Sequence, residues 1–146
     1  MGLVSTTFLA SKDRVIVTVR GECLAGDLLD TGDRLYDDPQ FRTGMSTVLD
    51  LRGAIPAVTA DNIRTIVSFI SRNLERRGRG RCAVVVERDV DYGMARMGQA
   101  YLDEVGVALG VFRDLAAAEQ WLDGEAIHEG LTSRGSADDE PEIAPE

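Results

Sequence analysis

The chain has 146 residues, is 44% apolar and carries a formal net charge of −9, which suits one domain with a sizeable core. The charge is uneven: Met1–Leu122 holds 17 acidic and 15 basic residues, whereas Asp123–Glu146 holds 8 acidic residues and one basic, Arg134. A near-neutral body argues against a nucleic-acid binder, which needs clustered excess Lys and Arg, and no apolar run has the length of a membrane span or the form of a secretory leader.

Leu3–Phe8 reads as a short first strand, Ser11-Lys12-Asp13 as a turn, and the β-branched run Val15–Arg20 as a second strand, together a hairpin. Leu24–Tyr36 reads as a weak helix with Leu24, Leu28 and Leu35 on one face, closed by Asp37-Asp38-Pro39. Its carboxylates at 27, 30, 33, 37 and 38 lack the calcium-loop pattern and read as a solvated face. Ser46–Leu51 is the third strand, followed by a loop over Arg52–Pro56.

Thr59 opens the most regular helix, with Ile63, Ile66, Val67, Ile70 and Leu74 in one apolar stripe and Gly78 at its end. Thr59 is the expected N-cap, and Asp61 suits the helix dipole. Arg72, Arg76, Arg77, Arg79 and Arg81 form the chain's basic cluster; they suit a helix C-terminus and lack interleaved aromatics for base stacking.

Cys82–Val86 is an apolar run without alternation, as in a strand covered on both faces. A helix capped by Asp89 or Asp91 follows to about Val105, with Gly93 and Gly98 permitting close approach of a neighbour. Val107–Phe112 is the fifth strand, and Asp114 caps a last helix with Leu115, Ala118, Trp121 and Leu122 turned inward. From Asp123 onward Gly, Ser, Pro and acidic residues dominate, a composition that buries too little apolar surface to order itself. The expected organisation is one α/β domain over residues 1–122 and an acidic tail over 123–146. The domain holds a mainly parallel mixed sheet of about five strands, with an antiparallel N-terminal hairpin and helices on both faces.

Cys23 and Cys82 have neither disulfide nor metal-ligand spacing, which fits reduced thiols in a cytoplasmic protein. The one histidine, His128, lies in the tail, so no His-based triad is expected in the body. Glu87, Asp89 and Asp91 cluster beyond the central strand and are explained by capping and solvation. No metal and no cofactor is expected.

Tyr92-Gly93-Met94-Ala95-Arg96-Met97 after an apolar strand resembles a segment of the SpoIIAA-like proteins, as does Val111-Phe112-Arg113-Asp114-Leu115 followed by Ala118 and Trp121-Leu122. The resemblance covers roughly Leu3–Leu122. It implies the STAS-domain fold of anti-sigma-factor antagonists, akin in architecture to CRAL-TRIO lipid carriers, among mostly uncharacterised bacterial proteins with no established reaction. STAS antagonists carry an Asp-x-Ser-Gly-like phosphoacceptor motif after the third strand. Here that region reads Ala57-Val58-Thr59-Ala60-Asp61, and Thr59 is the one candidate acceptor.

Three functions follow as alternatives. The first is a non-catalytic regulatory module that binds a protein partner or a small ligand. The second is a carrier of a lipid-like or other apolar molecule, and the third is an enzyme. A ligand site is expected where the parallel strands end and the next helix starts. There Tyr92, Met94 and Arg96 offer a ring with a hydroxyl, an adaptable wall and a charged fork for a small acidic or amphipathic ligand or an acidic partner segment. The plainer alternative has Arg96 in a salt bridge to Asp91 or Glu87, with Tyr92 and Met94 as core. A second copy of the chain is also a candidate partner.

Overall fold

An antiparallel hairpin starts the fold. β1 (Leu3–Leu9) and β2 (Arg14–Glu22) are joined by a one-turn 3-10 helix, Ala10–Lys12, closed by Asp13 in the left-handed conformation. The computed structural model describes residues 3–55 and 59–124. The tail from Glu125 onward, with His128, and the segment 56–58 lie outside the described residues.

α1 (Ala25–Asp37) leads to β3 (Ser46–Ile55), and α2 (Ala60–Arg72) with the single-turn α3 (Leu74–Arg77) leads to β4 (Cys82–Val85). α4 (Asp89–Asp103), β5 (Leu109–Phe112) and α5 (Leu115–Gly124) complete the described chain. The strands lie in the order β1-β2-β3-β4-β5, with only the first pair antiparallel.

Spatial order therefore repeats sequence order, and this decides where the helices go. Each β–α–β connection steps in the same direction across the sheet. Right-handed crossovers then place every connecting helix on one face. Leu35 of α1, Phe69 and Ile70 of α2, and Ala95 and Leu102 of α4 share a core with Val15, Val17, Val19, Leu51, Val84 and Val111. Among the described residues the opposite face is covered by α5 alone, whose Ala118, Leu115, Trp121 and Leu122 pack on Val48, Ala83 and Val85. Both faces carry helices, as expected, but in a ratio of three long helices to one.

Four local expectations need correction. β3 does not end at Leu51: it continues to Ile55 through a bulge, since Thr18 pairs with Asp50 but Arg20 pairs with Gly53. The extra residue turns Arg52 and Gly53 to the same side, and a side chain at Gly53 would run into that of Arg20. The long second helix does not run unbroken to Gly78. At Asn73 the backbone leaves helical geometry, and its Nδ2 donates to the Phe69 carbonyl at 2.8 Å, closing the helix one turn early. That break lets Arg77 turn inward, where its guanidinium donates to the carbonyls of Gly78 and Gly80 and to Thr47 Oγ1. The start of α4 carries no side-chain cap, and its N-cap position is Arg88 rather than Asp89 or Asp91. Asp91 is instead buried and held by Arg88, Nε to Oδ2 at 2.8 Å. Finally, α5 runs on through Gly124, so Asp123 sits on a helix and accepts from the buried Arg14 at 2.6 Å.

Candidate functional site

The carboxyl ends of β3, β4 and β5 meet the N-termini of α2, α4 and α5 along one rim of the sheet. Asp50, 3% exposed, anchors that rim on the α5 face. Its carboxylate accepts from Arg52 Nε and Nη2, both at 2.9 Å, and from Arg20 Nη2 at 3.4 Å. Burial alone would push this carboxyl upward. The hydrogen bonds from the Arg52 side chain and backbone, with the charges of Arg52 and Arg20, outweigh it and hold Asp50 below the usual carboxylate value.

Further along the rim, Arg113 lies over the Tyr92 ring at 4.8 Å from its centroid and donates to Asp89 Oδ1 at 2.6 Å. Tyr92 is half-buried against the helix-side core. Arg96 is exposed, and its Nε donates to Gln99 Oε1 at 2.7 Å. Gln99 in turn donates to the Leu109 carbonyl at 2.7 Å, so Arg96 supports the contact between α4 and β5. Met94, half-buried, lies about 200° around the helix from Tyr92. Met94 thus turns away from Tyr92, whereas Arg96, four residues on, shares the helical face of Tyr92 but bonds Gln99, and the cation over the Tyr92 ring is Arg113.

Thr59 is the N-cap of α2, its Oγ1 accepting from the Asn62 amide at 3.1 Å. Thr59 is half-buried. The arginines of the basic cluster are engaged separately. Arg76 bonds Asp33 and Asp37 and lies over Tyr36, Arg77 is interior, Arg79 donates to the Val105 carbonyl, and Arg81 lies over Trp121. Among the described residues no three His, Cys, Asp or Glu side chains are grouped to hold a metal. Cys23 and Cys82 are free thiols, both buried.

An apolar opening lies elsewhere. Between the sheet and the helices α1, α2 and α4 lies a cavity of about 90 Å³. Leu49 and Leu51 of β3 and Val84 of β4 form its floor, and Ile63, Ile66 and Val67 of α2 its roof. On α4 the wall is made by Ala95, Gly98 and Leu102, one helical face of small and aliphatic groups. Asn62 and Cys82 bring the polar atoms to an otherwise hydrocarbon lining. Leu49 sits mid-strand in the middle strand of the sheet, a position normally sealed, yet it is only half-buried. Leu28, Asn62 and Ile66 are half-buried too, so the opening lies between α1 and α2.

In the sequence, the stripe Ile63, Ile66, Val67 and Ile70 reads as ordinary core. The signal for a cavity was the pairing of that stripe with Ala95 and Gly98, which have too little side chain to fill the space opposite. Gly98 permits close approach of α2, and a Cβ there would stand 3.4 Å from Ile63 Cγ2.

A mixed five-stranded sheet with sequential strands, three helices on one face and a closing helix on the other defines a SpoIIAA-like α/β fold. A solved structure with this architecture comes from Shewanella loihica PV-4: an uncharacterised protein of the DUF3478 family, described as having a SpoIIAA-like fold. It aligns with a TM-score of 0.54 over 83% of this chain and 93% of its own, at 10% sequence identity. At that identity the likeness concerns the fold. No family model and no curated protein matches the chain. No helix among the described residues is long and apolar enough to cross a membrane.

Proposed function

We propose that this protein is a non-catalytic binding module whose ligand is a small apolar molecule held between the sheet and α2. The observation that carries this reading is the cavity itself: about 90 Å³, lined by aliphatic side chains, and open enough to leave Leu49 half-exposed at the centre of the sheet. A comparably apolar engineered cavity of about 150 Å³ stays dry and takes up benzene. The space here suits a single ring or a short alkyl segment, with any polar end beside Asn62 at the mouth. The hydrocarbon lining offers no acid–base pair and no charged group, which favours retention over reaction. A regulatory role would then act through α2, whose distance from the sheet an occupant would fix.

The test is a titration of the full chain with benzene and with a short straight-chain alcohol, followed by amide chemical shifts. The expected result is saturable shifts at Leu49, Ile66 and Gly98, lost in Gly98→Leu, whose side chain would occupy the space. Absence of saturable shifts at these three positions, or shifts that persist unchanged in Gly98→Leu, would defeat the reading.

A further inference from the structure

The two edges of the sheet are guarded very differently. β5, at one edge, is only four residues long and runs straight into α5. Short edges of this kind resist pairing with other chains. β1, at the other edge, is seven residues long and reads Leu-Val-Ser-Thr-Thr-Phe-Leu. It has no charge, no proline and no bulge, and its register with β2 is unbroken from Leu3 to Leu9. In a chain with 28% charged residues, a seven-residue edge without one carries, among the described residues, none of the usual protective devices. Leu3 at its start is 66% exposed.

The order of residues in β1 also says what fits it. Read from either end, the strand runs aliphatic, apolar, hydroxyl, hydroxyl, hydroxyl, apolar, aliphatic. We propose that β1 pairs antiparallel with β1 of a second copy of this chain, about a two-fold axis through Thr6, to give a continuous ten-stranded sheet. Leu3 then faces Leu9 of the other copy, Val4 faces Phe8, Ser5 faces Thr7, and Thr6 faces itself. Each pair joins like with like, and apolar and hydroxyl cross-strand pairs of this kind are favourable.

The faces agree as well. Val4, Thr6 and Phe8 pair with Val19, Val17 and Val15 and so look toward the helix layer, while Leu3, Ser5, Thr7 and Leu9 look toward the α5 side. A one-residue slip would pair positions from opposite faces. A two-residue slip would set Leu3 against Thr7, apolar against hydroxyl. One register therefore satisfies both faces, and a two-fold contact of identical patches closes on itself rather than extending into a fibre.

The experiment is sedimentation of the full chain over a concentration series, with two kinds of variant. The expected result is a concentration-dependent dimer for the natural sequence and a monomer for Thr6→Lys, which sets two like charges opposite each other at the axis while facing solvent in the monomer. Register is read by mild oxidation of Thr6→Cys and Ser5→Cys. The natural thiols are buried. Thr6→Cys should yield an inter-chain disulfide because the two positions are direct neighbours across the axis. Ser5→Cys should not, because two-residue diagonal spacing exceeds the roughly 7 Å limit between Cα atoms. A natural chain that stays monomeric at its highest soluble concentration overturns the proposal. So does a dimer in which Ser5→Cys cross-links as readily as Thr6→Cys.

Discussion

Replacing the two glycines of α4 by alanine, one at a time, measures whether the cavity beneath that helix exists. Gly93 is exposed, and a Cβ built there meets nothing within 4 Å, so Gly93→Ala acts through helix propensity alone. The gain should be about 0.8–1 kcal/mol. At Gly98, which is buried and lines the cavity, the added methyl would sit 3.4 Å from Ile63 Cγ2 and 3.8 Å from Leu109 Cδ2, at van der Waals contact with both. It should gain the same propensity plus roughly 0.5–0.8 kcal/mol for a buried methyl, about 1.5 kcal/mol in all. Urea unfolding at constant slope would read both as shifts in midpoint. In heat, each kilocalorie should raise the Tm by about 3–5 °C for a domain of this size. The informative outcome is the order of the two. If Gly98→Ala lowers the midpoint while Gly93→Ala raises it, α4 packs tightly on Ile63 and Leu109. The space assigned to a ligand would then be filled.

Thr59→Ala should cost about 1 kcal/mol by removing the cap on the Asn62 amide, seen as a lower urea midpoint. If Thr59 also serves as a phosphoacceptor, Thr59→Glu should change binding of the cavity probes beyond what Thr59→Ala does; identical effects would leave it the structural role alone. Asp50→Asn should destabilise by about 1.5 kcal/mol, since it weakens charge-assisted bonds to Arg52 at a nearly enclosed carboxylate. Because the folded state lowers this carboxyl below its unfolded value near 4, its contribution is present above about pH 4 and is lost as pH falls through the folded pKa. The variant should therefore flatten the acid limb of the stability–pH curve, and an unchanged limb would contradict the assignment.

Much of the fold was legible because it depends on short-range pattern. The β-branched run Val15–Arg20, the uninterrupted Cys82–Val86 and the stripe on α2 each carry their period in plain view. Capping at Thr59 and Asp114 could be read from residue type, and both hydroxyl and carboxylate accept the expected amides. What escaped is what depends on distant partners. The extension of β3 to Ile55 rests on pairing with Arg20–Glu22, which no local signal reveals. The inward turn of Arg77 rests on carbonyls and a threonine from β3, so an arginine in a basic run reads as exposed until its surroundings are known. The partners of the site residues were hidden for the same reason. Tyr92 could be placed at a helix start, but that Arg113, arriving from the end of β5, rather than Arg96 would lie over it is a fact of tertiary geometry.

Among the described residues α5 alone closes the second face of the sheet, and this has a consequence for a chain emerging from the ribosome. Every strand from β2 onward is laid beside the one made just before it, so the sheet with its three-helix layer can grow as the chain appears. The other face, with Ile16, Val48 and Val85, has no cover until residues 115–124 arrive. The same late segment delivers Glu119 and Asp123 to Arg14, partners separated by 105 and 109 positions. Until then the growing chain presents an apolar sheet surface beside an unneutralised arginine. A stall in synthesis just before Leu115 would hold it in the state most exposed to unwanted association.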